Sequence, residues 1–361
     1  MYICAINLRL MVMRRSLFQY IIRLFPAEVT HNIRLAMLRF VGFLPFGKRY
    51  LKGTLSPKSA NLEREVMGIH FRNPIGIAAG FDSNGDYLTE LAAAGFGFVE
   101  IGSVTTRPQP GTPRPRIHRL RKHNSLINNS GSPNRGLEYV MHNVRRRNKY
   151  THNLVIGCNI GKLTTTHSKN VVKEYLRVFR NMYQYVDFFV INISCTTSSK
   201  PFEPRTAEDI RAIIDPLFEF RRGQLDYRPI LLKVSPDLTQ EELNTVIDIL
   251  IETPLDGIEA VTGSHVMAKE LGAINGGAVS GAMLTERAIE MVRYIANKTE
   301  YNYPIIGSGG MMTPEDIKRM MDAGASLVAL NTGIRLNGFR LLKASAKMLR
   351  KTPITDPTQT K

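Results

Sequence analysis

The chain is short of cysteine, short of acid in its first sixty residues, and without a long apolar run, and each shortage removes a class of protein. Its three cysteines, Cys4, Cys158 and Cys195, are odd in number and lack zinc-ligand spacing, which argues against a disulfide framework or structural metal and implies a reducing compartment. No stretch approaches the ~20 consecutive apolar residues of a membrane-spanning helix. Residues 1–60 carry ten Lys/Arg and one acid, Glu28, a balance of +9 that is about half of the whole chain's +17. A nucleic-acid surface would explain such charge, but no recognition motif accompanies it.

The basic residues of this first segment alternate with apolar ones at helical spacing: Leu17, Ile21, Leu24 and Phe25, then Ile33, Met37, Leu38 and Phe40. The pattern predicts two amphipathic helices lying on an anionic membrane surface. Two other readings stay open: helices that cap the main domain with their apolar faces buried, and a cleaved transit peptide within the acid-free residues 1–25. A second basic run, "RPQPGTPRPRIHRLRKHNS" at 107–125, is proline-rich and aperiodic, and is expected to be an ordered surface loop.

From residue 74 onward, eight short apolar runs alternate with stretches of helix length. The candidate strands are 74–79, 97–101, 154–158, 188–193, 229–234, 256–261, 304–307 and 326–330. Between them, 238–252, 284–299 and 313–323 read as helices, several with Ser/Thr caps and an acidic first turn. The repeat predicts an α/β protein, a (β/α)8 TIM barrel with an N-terminal amphipathic helical extension; a doubly wound open sheet is the alternative. The expected division is an extension at 1–55, a barrel at 56–350 and a tail at 351–361.

In such a barrel the chemistry gathers at the carboxyl ends of the strands. Here those ends read "AAGFDSNG", "IGSVTT", "NIGK", "NISC", "KVSPD", "VTGS", "GSGG" and "NTGIR". The late glycine turns suit a phosphate. Lys233 ends an apolar strand and needs an anion, either a flavin that gains charge on reduction or a barrel carboxylate. Asn159 and Asn192 can fix a planar heterocycle or merely cap their strands.

In order along the chain, "SLFQYIIRLFPAEVTH", "MGIHFRNPIGIAAGFD", "GFGFVEIGSVTTRPQPG", "LIN", "NIGK", "NIS", "KVSPDLT", "PIIGSGG" and "GASLVAL" resemble the class 2, quinone-linked dihydroorotate dehydrogenases, over about residues 16–345. The resemblance implies oxidation of dihydroorotate to orotate with hydride transfer to FMN, and reoxidation by a membrane quinone that enters past the N-terminal helices. Peripheral membrane association is implied, at the cytoplasmic face of a bacterial cell membrane or at the mitochondrial inner membrane of a eukaryote. No nucleic-acid partner is expected, and a monomer is favoured.

By position, the resemblance puts FMN contacts on Ala78, Ala79, Gly80, Ser103, Asn159, Asn192, Lys233, Gly281, Gly309, Gly310, Asn331 and Thr332. Asn128 and Asn192 match amides that hold the pyrimidine. Ser83 stands in place of a family lysine, Thr197 and Thr262 in place of two asparagines, Asn129–Ser132 in place of an Arg-Met-Gly-Phe pattern, and Asn331 in place of an aromatic. Cys195 takes the position of the catalytic base, a serine in class 2 and a cysteine in class 1; an inert thiol is the bland alternative.

Overall fold

The structure is a computed structural model that describes residues 25–57, 61–146, 151–166, 170–194, 206–273 and 276–351. Eight strands close a parallel barrel in chain order: β3 (Ile75–Asp82), β4 (Phe98–Val104), β7 (Val155–Ile160), β8 (Phe188–Asn192), β9 (Ile230–Val234), β10 (Gly257–Ala260), β12 (Ile305–Ser308) and β13 (Leu327–Leu330). These are the eight apolar runs expected from the sequence. An open doubly wound sheet is ruled out, because β13 pairs back onto β3.

Each strand is buried on both faces. One face, with Ile77, Val99, Ile156, Ile191 and Ile258, meets the surrounding helices; the other, with Phe98, Phe188, Leu231, Ile306 and Leu327, fills the barrel. The bulk inside is matched by gaps: a Cβ on Gly157 would lie 2.3 Å from the Phe188 ring, so that phenylalanine occupies the room the glycine leaves. The amino end of the barrel is closed by the antiparallel hairpin of β1 (Arg64–Val66) and β2 (Ile69–Phe71), whose Phe71 packs edge-on against Phe98.

The helices start where local chemistry says they should. Thr239 and Glu242 form a capping box before Gln240–Glu252, and Thr313 and Asp316 form another before Pro314–Asp322. The third expected helix spans Thr285–Lys298.

Two features were not legible. Strands β5 (Ile117–Leu120), β6 (Ser125–Asn128) and β11 (Ala278–Gly281) form an antiparallel sheet away from the barrel wall. The basic run expected as a loop therefore contains a strand, and its Arg116 is buried against Glu28. At the amino-terminal side, α1 (Ala27–Phe43) and α2 (Gly47–Leu55) are helical, but the apolar residues of α1 divide between two faces. Leu35 and Leu38 are buried, whereas Ile33, Met37 and Phe40 are exposed. Leu17, Ile21 and Leu24 lie outside the described residues.

Near the amino ends of β9 and β10 sits a buried ion pair. Arg221, on the helix Ala207–Arg222, donates to Asp256 at 2.6 Å, and Asp256 also accepts from the Ile230 backbone N–H at 2.8 Å. Removing one partner strands the other charge, which costs about 3–5 kcal/mol. Arg221→Met should therefore lower stability in urea unfolding by about 3 kcal/mol, and a loss well under 1 kcal/mol would show that the pair does not hold the two strands.

Candidate functional site

A cavity of about 1040 Å³ opens where the carboxyl ends of the strands meet the extra sheet and α1. It is lined by Ala78, Ala79 and Gly80 of β3, Ser83 just after it, Ser103 of β4 and Asn192 of β8. Lys233, Thr262, Gly309, Gly310, Asn331 and Thr332 complete the barrel's share, and Asn128 and Ser132 come from the extra sheet and the turn after it. Most of the residues expected at the site therefore share one space. Asn159 and Gly281 do not line it; Asn159 lies just behind Ser103, and Gly281 ends β11. Cys195 and Thr197 lie outside the described residues.

The polar side chains are ordered by one another. Ser103 donates its hydroxyl to Asn159 Oδ1 at 2.7 Å, and Asn192 Nδ2 donates to Ser103 Oγ at 3.4 Å, which links β8, β4 and β7. Asn192 Oδ1 accepts from the Ser194 N–H at 3.0 Å and so directs the chain as it leaves the strand. Asn159 is fully buried, yet among the described residues its Nδ2 has no partner. A buried amide donor without an acceptor is costly.

At β12 the backbone itself is the feature. Gly310 has φ +75°, and a Cβ there would lie 2.3 Å from Thr285 Cα, so no side chain fits. Thr285 donates its hydroxyl to the Gly310 carbonyl at 2.7 Å and fixes the turn. Nearby, Thr332 donates to Ser280 at 2.9 Å, and Asn331 donates to the Ala79 carbonyl at 2.9 Å.

Lys233 ends the inner face of β9. It donates to Glu259 of β10, and Glu100 of β4 stands 3.7 Å away. Burial alone would lower the lysine's pKa, but the two carboxylates outweigh it and leave it raised. Burial, reinforced by the charge of Glu259, holds the Glu100 carboxyl well above the usual carboxylate range despite Lys233. Neither glutamate was singled out beforehand, although each is the lone acid in its strand and falls on the inward alternation.

The rim under α1 was also missed. Arg335 donates to Asn331 Oδ1 at 2.6 Å and to the Gly80 carbonyl at 2.5 Å; burial lowers its pKa to about 10, so it stays charged. Asp82 accepts from the Asp86 and Tyr87 N–H groups at 2.9 and 2.8 Å, and burial raises its pKa to about 6 despite them. Glu28 of α1 receives Arg116 at 2.7 Å and Arg114 at 3.2 Å. His31 bonds the Phe81 carbonyl at 2.9 Å and packs edge-on against the Phe81 ring.

Residues 61–352 match the family described as dihydroorotate dehydrogenase. The chain is 37% identical over 343 residues to a dihydroorotate dehydrogenase (quinone) of Christiangramia forsetii, covering 94% of this chain and 99% of that protein. It is 38% identical over 299 residues to one of Thermosynechococcus vestitus, covering 80% of each. A crystal structure of Eimeria tenella DHODH in complex with ferulenol aligns with a TM-score of 0.77 at 27% identity, covering 89% of this chain and 90% of that one.

Burial, with the nearby Arg335 and Arg34 charges, lowers the His31 pKa to about 2 against the Phe81 bond that would raise it. A histidine released from this contact regains its ordinary value near 6.5 and takes up a proton that the docked one refuses. The contribution of His31 to the docking of α1 is thus fully present above pH ~6.5 and is lost as pH falls towards ~2, favouring opening by up to about tenfold per pH unit. Hydrogen exchange of 27–43 at pH 7 and pH 5 should show this, and His31→Gln should flatten it; equal slopes for both proteins would refute the assignment.

Proposed function

Because the chain belongs to the dihydroorotate dehydrogenase family, we propose that it oxidises dihydroorotate to orotate, with FMN as hydride acceptor and a membrane quinone as final oxidant. The observation that carries this reading is the convergence of glycine turns and amide side chains on one cavity at the carboxyl ends of the barrel strands.

The residues present fit FMN. The Gly309–Gly310 turn offers backbone N–H groups to the cavity, with no room for a side chain at Gly310, a donor set suited to a phosphate. Asn192 and Ser103 line the same cavity with amide and hydroxyl groups that can bond a heterocycle's oxygen or nitrogen. Bound there, FMN supplies an acceptor for the hydride leaving the substrate.

The chain's own part is to hold and deprotonate. Asn192 and Asn128 approach from β8 and from the end of β6, so the substrate would lie between the barrel and the extra sheet. The hydroxyls of Ser83 and Thr262 line the same space. Cys195 is the proposed base for the C5 proton; it lies just past Ser194, whose N–H is already tied to Asn192.

A second reading is favoured by the cavity's cations, most of which are already engaged, with Arg135 stacked on Tyr139. Lys233 meets Glu259, Arg114 and Arg116 meet Glu28, and Arg335 meets Gly80 and Asn331. With Ser83 in place of a lysine, a neutral relative of dihydroorotate is the alternative substrate.

The exposed side of α1 and α2 supports docking at a membrane. Phe43 is 89% and Phe46 82% exposed, with Tyr50, Arg49 and Lys52 beside them. Among the described residues, no helix is long and apolar enough to cross a membrane. We place residues 1–55 as the segment that meets an anionic lipid surface and admits quinone.

Anaerobic addition of dihydroorotate to the flavin-loaded protein should bleach the flavin, and Cys195→Ala should slow the bleaching about 10²–10⁴-fold. A flavin that stays oxidised with dihydroorotate, yet bleaches with a neutral analogue, would install the second reading. Replacing Phe43 and Phe46 by Ser should weaken partition onto anionic vesicles about tenfold or more, since burying one phenylalanine is worth about 1.5–3 kcal/mol. Unchanged partition would remove these helices from the membrane.

A further inference from the structure

The cluster Lys233–Glu259–Glu100 has a role that the proposed reaction does not by itself require. The strand register sets it: Lys233 stands opposite Asn192 on one side and Glu259 on the other, and alternation turns all of them into the barrel. Both glutamates are fully buried, and among the described residues Oε1 of Glu100 and Oε2 of Glu259 have no partner. Among the described residues, the neighbouring inward positions Ala78, Asn159, Asn192 and Ser308 carry no charge. The local balance is therefore decided by one ammonium and two carboxyls.

With Glu259 in direct contact with Lys233 and the Glu100 carboxyl held above its usual range, the ammonium is balanced within the cluster by Glu259. A group seated on Lys233 would meet an ion pair and no uncompensated cation. This matters for a flavin, because taking up two electrons and one proton from its reductant leaves it with one additional negative charge. A free ammonium would favour that charge; a paired one favours it far less.

Resting on the reading that this cavity binds FMN, we propose that Glu259 is a positioning residue that draws Lys233 against β10 and cancels its charge, keeping the bound flavin harder to reduce than an unpaired lysine would.

The test is equilibrium reduction of the FMN-loaded protein against a dye of known potential, together with FMN affinity in both redox states. Glu259→Gln should tighten binding of reduced relative to oxidised FMN about tenfold, equivalent to a rise of about 30 mV for the two-electron couple. Glu259→Asp, which keeps the charge, should restore most of the original value and stands in should the glutamine variant fail to fold. Glu100→Gln should leave the potential near that of the parent, because that carboxyl stands 3.7 Å from the ammonium and Glu259 is the one in direct contact with it. An unchanged potential in Glu259→Gln, or an equal shift in Glu100→Gln, would overturn the assignment. Parent protein that binds no FMN at all would instead sink the flavin reading, and this inference with it.

Discussion

Closing eight parallel strands into a barrel removes every edge and turns alternate side chains into a space with little room for water. That constraint governs the molecule. Towards the amino ends the inward residues are Phe98, Phe188 and Leu231, and the interior is a packed core. Towards the carboxyl ends they are Glu100, Asn159, Asn192, Lys233 and Glu259, and a polar residue there must find its partner in another such residue or in a ligand. Some do: Lys233 has Glu259, and Ser103 has Asn159. Others do not: among the described residues, Asn159 Nδ2 and one oxygen each of Glu100 and Glu259 are without a partner.

The arrangement of the rim follows from the same geometry. The extra sheet carries Asn128 to the mouth, and α1 is fastened to the rim by Glu28, His31 and Arg39. One side of α1 is spent on that docking, which leaves Ile33, Met37 and Phe40 exposed, as are Phe43 and Phe46. An apolar face left over after packing is what a membrane-docking segment requires.

Much of this was legible in the sequence because barrel strands are short, apolar on both faces and separated by capped helices; all eight were located. The helix starts at Thr239 and Thr313 carried their own signal in a hydroxyl followed three residues later by an acid. The sheet containing Ile117–Leu120 was hidden because its proline- and arginine-rich surroundings imitate a loop, and because its third strand, Ala278–Gly281, which pairs with Ser125–Asn128, lies about a hundred and fifty residues further along the chain. Glu100 and Glu259 were overlooked for a related reason. A single acid in an apolar strand is ordinary by composition, and only register shows that both meet the same lysine. The split of the α1 stripe into Leu35 and Leu38 inside and Ile33 and Met37 outside depends on which face the barrel takes, which periodicity does not specify.

The central claim is that the carboxyl ends of the strands form a flavin site. Titration of the flavin-free protein with FMN, followed by quenching of flavin fluorescence, tests it most directly. The account predicts saturation at one FMN per chain, abolished by Gly310→Val, whose side chain would fall on Thr285. Absence of saturable binding, or binding indifferent to that substitution, would contradict it.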